Sequence, residues 1–425
     1  MATRARHLTS VANNIAMNIT SKIVALSSAV AFALQIALAL LMLHYVSPEE
    51  VGTFSVISQI SFFWTTLALA QTPLRLLANH SDSVFADARH AWTSSMQRFV
   101  WLSPVVALAV WWSGLSFVNA LLWALLLSLC QLTWMLAQSM RLRMKGLWAQ
   151  TGVLVLPPLM ALLVAVVTVF MQWSGSALLS STLLGYAVGA AWLLPSLLAY
   201  LQAKFDNEST NLDEVALSSD LQDPFHPAIA SVSGDNRSTC LRMAHTLADA
   251  LLATAIVVVW QRLYGAQETG WMTAPLRVLG YVPAMVHMAW AQVLLAQPQH
   301  ARTNLLWVGL AGFASVALLG AACAAALVLG WLGEQWQGVW PYLLPLVIWQ
   351  GCGCLVAAFS HKPFETKNAR SFSWACIGII SLQSIVLLWP IVTNTPLISS
   401  NHLVGFASVS AISFCTLFLW LRKLT

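Results

Sequence analysis

GWMTAPLRVLGYVPAMVHMAWAQVLLA, Gly270 to Ala296, is an apolar run long enough to cross a bilayer, and it carries a single guanidinium, Arg277. About seven residues at roughly 1.5 Å rise each set that group about 10 Å inside the edge of a hydrocarbon core about 30 Å thick. Insertion scales put an arginine there at roughly 2.5 to 3.5 kcal/mol, so such a residue is kept off lipid, facing a partner or a watery cavity, and marks a functional position. Pairing with helix-end carbonyls or a nearby acid is the plainer role for the same residue.

The rest of the chain is built the same way. Hydrophobic residues make up 59% of 425 and charged residues 8%, a balance that excludes a soluble globular domain and predicts an all-α, polytopic membrane protein. The polar, basic first twenty residues, with Arg4, Arg6, Asn13 and Asn14, lead into no short apolar run with a small-residue cleavage site, so the first apolar segment is expected to stay. Seven cysteines without a C-x-x-C pair read as small buried hydrophobes and indicate neither a disulfide framework nor a metal site.

Twelve segments are long enough to span: approximately 23–46, 51–70, 98–116, 118–140, 148–172, 177–201, 243–263, 270–296, 305–332, 338–360, 372–392 and 401–421. Of the 20 Lys and Arg, 18 then fall in loops on one side, Arg262 alone on the other, and Arg277 within the membrane. That asymmetry puts both termini in the cytoplasm. The exterior loops, such as Ser47 to Glu50 and Tyr264 to Thr269, are short. The long connection, Gln202 to about Arg242, is rich in Asp, Asn, Ser and Pro and reads as a flexible cytoplasmic linker. The organisation expected is therefore an N-terminal six-helix bundle over 1–201, a linker over 202–242 and a C-terminal six-helix bundle over 243–425.

The halves carry a trace of each other. Glu50-Val51-Gly52 and Glu268-Thr269-Gly270 open corresponding helices at an offset of 218 residues, and under that offset Gln59 occupies the place of Arg277. Helix capping accounts for the acid as well, since Ser47, Pro48 and Glu50 form a capping box. With six helices per half the two repeats face the same way, which predicts two pseudo-symmetric bundles around a central cavity.

Other ionisable candidates are Asp249, on a face shared with Arg242 and His245, as a coupling carboxylate, and His287, about 80° around the helix from Arg277. A surface ion-pair cluster serves equally for the first and a packed neutral histidine for the second. Arg141, Arg143 and Lys145 could meet a phosphorylated headgroup or merely fix topology. Pro104, Pro157, Pro158, Pro195, Pro275, Pro283, Pro341, Pro345 and Pro390 interrupt spans and predict kinks. Of the 21 tryptophans, Trp173, Trp271, Trp336 and Trp420 suit interfacial belts, while Trp64, Trp123 and Trp290 lie nearer mid-helix, where packing competes with stacking on sugar rings. No Walker motif, H-E-x-x-H or nucleophile elbow is present, so no cofactor, nucleotide-driven or hydrolytic machinery is expected.

Over Tyr45 to Gln59, with Tyr45-Val46-Ser47-Pro48-Glu49-Glu50-Val51-Gly52-Thr53-Phe54, and over Gly265 to Gln292, with Ala274-Pro275-Leu276-Arg277 and Pro283, the chain resembles the polysaccharide (O-antigen) flippases of the multidrug, oligosaccharidyl-lipid and polysaccharide exporter superfamily. The resemblance implies a multi-pass protein of the bacterial inner membrane that moves an undecaprenyl-diphosphate-linked oligosaccharide between leaflets by alternating access, without enzymatic chemistry. It implies glycosyltransferases and a polymerase of one pathway as partners, with membrane lipids around it and no nucleic acid. Arg277, Gln59 and His287 then become substrate contacts. Family members line the cavity with several cations, whereas this sequence has one deep arginine. A cation-coupled drug exporter of the same superfamily shares the architecture but needs intramembrane acids, and a membrane-embedded polymerase needs a larger exterior loop.

Overall fold

The computed structural model describes residues 26–27, 30–70, 72–73, 76, 84–143, 147–171, 176–191, 236–286, 305–365, 368–395 and 397–424. His287, Lys145 and most of the 202–242 linker lie outside them. Among the described residues there are helices and no strands: α1 (Val30–Tyr45), α2 (Pro48–Leu69), α3 (Val84–Ser113), α4 (Phe117–Arg143), α5 (Leu147–Phe170), α6 (Ala177–Ala191), α7 (Asn236–Met285), α8 (Leu305–Val328), a 3-10 turn (Glu334–Val339), α9 (Trp340–Phe359), the short α10 (Lys362–Glu365), α11 (Ala369–Thr393) and α12 (Ser399–Arg422). Eight of these stretches are long and apolar enough to cross a membrane. α1 and α6 are shorter apolar helices, and α7 is long enough to hold two of the twelve segments expected from the sequence.

The outer faces are what lipid requires. Trp101, Val118, Phe170, Leu318 and Ile412 are all more than 60% exposed on the bundle surface, where only an apolar solvent would accept them.

Two cores organise the bundle. One gathers α1 to α4 and α6 around Phe54, Ile60, Trp64 and Leu127, and the other gathers α7 to α9, α11 and α12 around Trp260, Met272, Tyr342 and Phe406. Val257, Val258, Ala274, Trp336 and Val339 belong to the first core although they come from the second half of the chain, so the halves share apolar surface.

Local chemistry explains the key joints. Ser47 caps α2, accepting from the Glu50 amide at 3.3 Å, with Pro48 in the first turn, as the capping box predicts. Fifty residues of α7 would run about 75 Å if straight. Instead Gly265, at φ 84° and ψ 178°, breaks it. His245 before the break packs on Phe372, Val286 after it joins the cluster containing Phe372, and Trp260 and Tyr264 near the break meet His402. Both ends of α7 thus return to one side, and α7 is a hairpin of two arms.

The loop expected over Tyr264 to Thr269 is therefore replaced by a one-residue turn. That backbone region is essentially glycine's alone, and the Thr269 hydroxyl closes the turn by donating to the Gly265 carbonyl at 2.7 Å. With the second arm starting so early, Arg277 sits twelve residues, or about 18 Å along the arm, from the turn. The first arm begins at Asn236, within the stretch read as linker.

Pro157 and Pro158 stay inside α5. Pro157 has no N–H for the Val153 carbonyl, and Trp134 of α4 supplies the missing donor at 2.9 Å. On the other side Gly185 and Gly189 of α6 leave room for the proline pair: a Cβ at Gly185 would meet the Pro157 carbonyl oxygen at 2.7 Å.

Two stability outcomes follow. Gly265→Ala, where a Cβ meets nothing within 4 Å, loses about 1 to 3 kcal/mol through the backbone alone, while Gly280→Ala, with ordinary helical backbone and nothing nearer than 3.8 Å, does not. Thermal unfolding of the detergent-solubilised protein distinguishes the two. Trp134→Phe strands the Val153 carbonyl and costs about 1 to 3 kcal/mol in the same measurement, more than Trp123→Phe.

Candidate functional site

The two halves meet along α2 and the second arm of α7, and the contacts obey the 218-residue offset. A Cβ at Gly52 would lie 1.9 Å from the carbonyl oxygen of Ala266, and one at Gly270 would lie 1.8 Å from that of Pro48. Pro48 and Ala266 are themselves 218 apart. The contact is the same patch used twice, as at a two-fold axis between identical subunits. Only glycine lets the backbones approach this closely, the device by which helices pack in lipid without a hydrophobic driving force. One turn further in, Thr273 Oγ1 donates to Ser55 Oγ at 2.8 Å, and those two residues are again 218 apart.

The next rung departs from symmetry, and it is where Arg277 lies. Its Nη2 donates to Ser58 Oγ, and its guanidinium carbon stands 4.5 Å from the centroid of the Phe54 ring. Tyr186 of α6 and Tyr281, one turn further along, lie within electrostatic range. Tyr281 packs edge-on against Phe32 of α1 at 5.6 Å, and Tyr186 against Trp134 at 5.3 Å. Arg277 is surrounded by protein yet keeps some accessible surface. Among the described residues the ion pair that forms is Arg143 with Asp87, so no described carboxylate neutralises Arg277. Hydroxyls and π faces offset only part of the cost of holding a cation at this depth.

The other sequence candidates distribute as follows. Gln59 is half-buried beside Ser58 on α2, and the bond to Arg277 comes from Ser58, one residue from the position the offset indicates. Asp249 is exposed on the first arm of α7, close to His245 and to Cys376 of α11, apart from Arg277. Arg143 is engaged by Asp87 at 2.8 Å, tying the end of α4 to the start of α3, and Arg141 is half-buried nearby. His287 and Lys145 fall outside the described residues. Trp64 stacks on Phe99 at 4.0 Å and donates to the Phe99 carbonyl, a core role rather than an open face for a sugar.

Tyr186 carried no sequence signal as a partner of Arg277, because α6 reaches it only through tertiary packing, whereas Tyr281, four residues on, lies at helical spacing that could have found it. A second polar cluster was equally hidden. Glu268 accepts from the Tyr342 hydroxyl and from Ser399 Oγ at 3.0 Å, while Tyr264 bonds His402 at 3.0 Å and Trp260 stacks on the His402 ring at 4.8 Å. These contacts fasten the start of the second α7 arm to α9 and α12. Its symmetry mate, Glu50, faces a small cavity lined by Thr53, Phe54 and the first turn of α6 from Ser176 to Leu179. No group of three or more His, Cys, Asp or Glu among the described residues is placed to hold a metal ion.

No family model and no curated protein matches this sequence. Solved structures do match in fold. A multidrug resistance MATE family transporter of the MOP superfamily, in an inward-facing conformation, superposes with a TM-score of 0.53 at 11% identity, over 92% of this chain and 94% of that one. The lipid II flippase MurJ, in an inward closed conformation, gives a TM-score of 0.57 at 10% identity, over 95% of this chain and 87% of that one. The all-helical architecture of this chain is therefore close to the folds of these two proteins.

Proposed function

We propose that this protein is a transporter that moves an undecaprenyl-diphosphate-linked oligosaccharide from the cytoplasmic to the outer leaflet by alternating access of its two halves, for assembly of a cell-surface polysaccharide. The observation that carries this reading is the cation inside the bundle: Arg277 is surrounded by protein yet partly accessible, and among the described residues no carboxylate pairs with it. A diphosphate crossing hydrocarbon needs such a charge and a wet path, while its polyprenyl tail can stay in lipid. Arginine's planar fork suits phosphate oxygens, and the phenols of Tyr186 and Tyr281 are added donors at the same level.

In this reading the end of the bundle bearing Ser47, Gly265 and Ser399 faces outward, both termini and the 202–242 linker are cytoplasmic, and the units are 1–201 and 243–425 in the bacterial inner membrane. The charge asymmetry of the loops supports that orientation. Gln59 and His287 are secondary cargo contacts. Arg141, Arg143 and Lys145 gather at the entry side, with Arg143 held by Asp87 until a headgroup competes for it. Asp249, away from Arg277, is the coupling carboxylate if transport is ion-driven. Glycosyltransferases and a polymerase would supply and consume the cargo. The MATE-like fold favours cation-coupled drug export as a second reading, but a cationic drug would meet a guanidinium where it needs an acid.

The test is complementation of a strain lacking the protein, reading surface glycan and the lipid-linked precursor retained in the cytoplasmic leaflet. At equal protein level, Arg277→Ala lowers glycan at least about tenfold, the equivalent of about 1.4 kcal/mol in lost binding, with precursor accumulating. Arg277→Lys retains part of the flux. Full glycan from Arg277→Ala and Arg277→Glu, or unchanged glycan with raised sensitivity to cationic drugs in the deletion strain, overturns the proposal.

A further inference from the structure

The seam between the halves is a ladder with one charged rung. Moving inward from the Pro48 and Ala266 level, the rungs are the glycine contacts at Gly52 and Gly270, the neutral pair Ser55 and Thr273, and then Arg277 on Ser58 and Phe54. Both partners of the guanidinium belong to α2, in the opposite half. The group available to an anion is thus also a fastening of the seam, with the Phe32 and Tyr281 rings in contact across the halves one turn further in.

Resting on the reading of Arg277 as the anion contact, we infer that the cargo's phosphate releases this fastening: binding draws Arg277 off Ser58 and Phe54 and so favours separation of the halves along α2 and α7. A ligand shifts a conformational equilibrium only by binding one state better than the other. Here the difference is explicit. In the sealed state Nη2 is committed to a serine hydroxyl and the face of the guanidinium to a phenyl ring. In the parted state the whole fork is free for a bidentate contact to a charged phosphate, where the sealed state gives it a single bond to a neutral hydroxyl. The glycine and hydroxyl rungs interlock no side chains of their own, so the cost of parting lies in the apolar surface the halves share around Phe54, Val258 and Ala274. The empty protein stays sealed because nothing competes for the arginine, which prevents idle opening.

Thr273 is 2% exposed and Ser55 1%, so a thiol at 273 reports opening of the seam. The experiment uses the full chain in nanodiscs, Thr273→Cys against its parent to account for native cysteines, a hydrophilic maleimide, and pyrophosphate as the probe, with binding followed by tryptophan fluorescence. Expected is a roughly tenfold faster labelling of residue 273 with saturating pyrophosphate. Ser58→Ala added to this background raises the basal rate and binds pyrophosphate several-fold more tightly, because the competitor is gone while the cation remains. Arg277→Gln gives fast labelling that pyrophosphate does not change. Pyrophosphate binding that leaves labelling at its basal rate, or slow labelling in Arg277→Gln, overturns the inference and leaves the anion site standing. If pyrophosphate does not bind at all, the anion reading falls and takes this inference with it.

Discussion

A guanidinium held about 18 Å along its arm from the Gly265 turn, without a described carboxylate beside it, is the constraint around which this bundle is arranged. Placing a positive charge at that depth is tolerable only if it faces something polar, and lipid offers nothing. The fold answers by putting Arg277 on the inward face of a hairpin arm, against the hydroxyl of Ser58 and the ring of Phe54, with Tyr186 and Tyr281 near. Each of these is a partial substitute for an anion. The site is therefore polarised toward negative charge before any ligand arrives.

That placement depends on how closely the halves approach. Gly52 and Gly270 remove the two side chains that would hold α2 and α7 apart, and the same patch serves both halves because the offset of 218 runs through every rung down to Ser55 and Thr273. At Arg277 the repeats diverge, polar neutral residues on one side and a cation on the other. Function is introduced where symmetry stops. The outer fastenings follow the same logic in part: Glu268 is locked by Tyr342 and Ser399, whereas its mate Glu50 fronts a small cavity.

Much of the architecture was legible from residues alone, because a membrane leaves little choice. Apolar runs of spanning length predict helices, the Ser47, Pro48 and Glu50 cap fixed the start of α2, and a three-residue echo at Glu268 to Gly270 located the pseudo-symmetric contact. What stayed hidden has physical reasons. A lone glycine in an apolar stretch does not announce a one-residue hairpin, so Gly265 was absorbed into a loop and the second arm was started five residues late. A carboxylate at a helix start looks like a cap whether or not tyrosine and serine later bind it, which concealed the role of Glu268. The offset made Gln59 the counterpart of Arg277 and was silent on what the guanidinium bonds, which is Ser58. Tyr186 and the Trp134 bond to Val153 arise from packing of distant segments and left no local pattern.

The most direct measurement is a cryo-EM structure of the full chain in nanodiscs with undecaprenyl diphosphate bound. The account predicts phosphate density within hydrogen-bond distance of the Arg277 guanidinium, with that group withdrawn from Ser58 and Phe54. Diphosphate density elsewhere in the protein, with Arg277 still seated on Ser58, would contradict it.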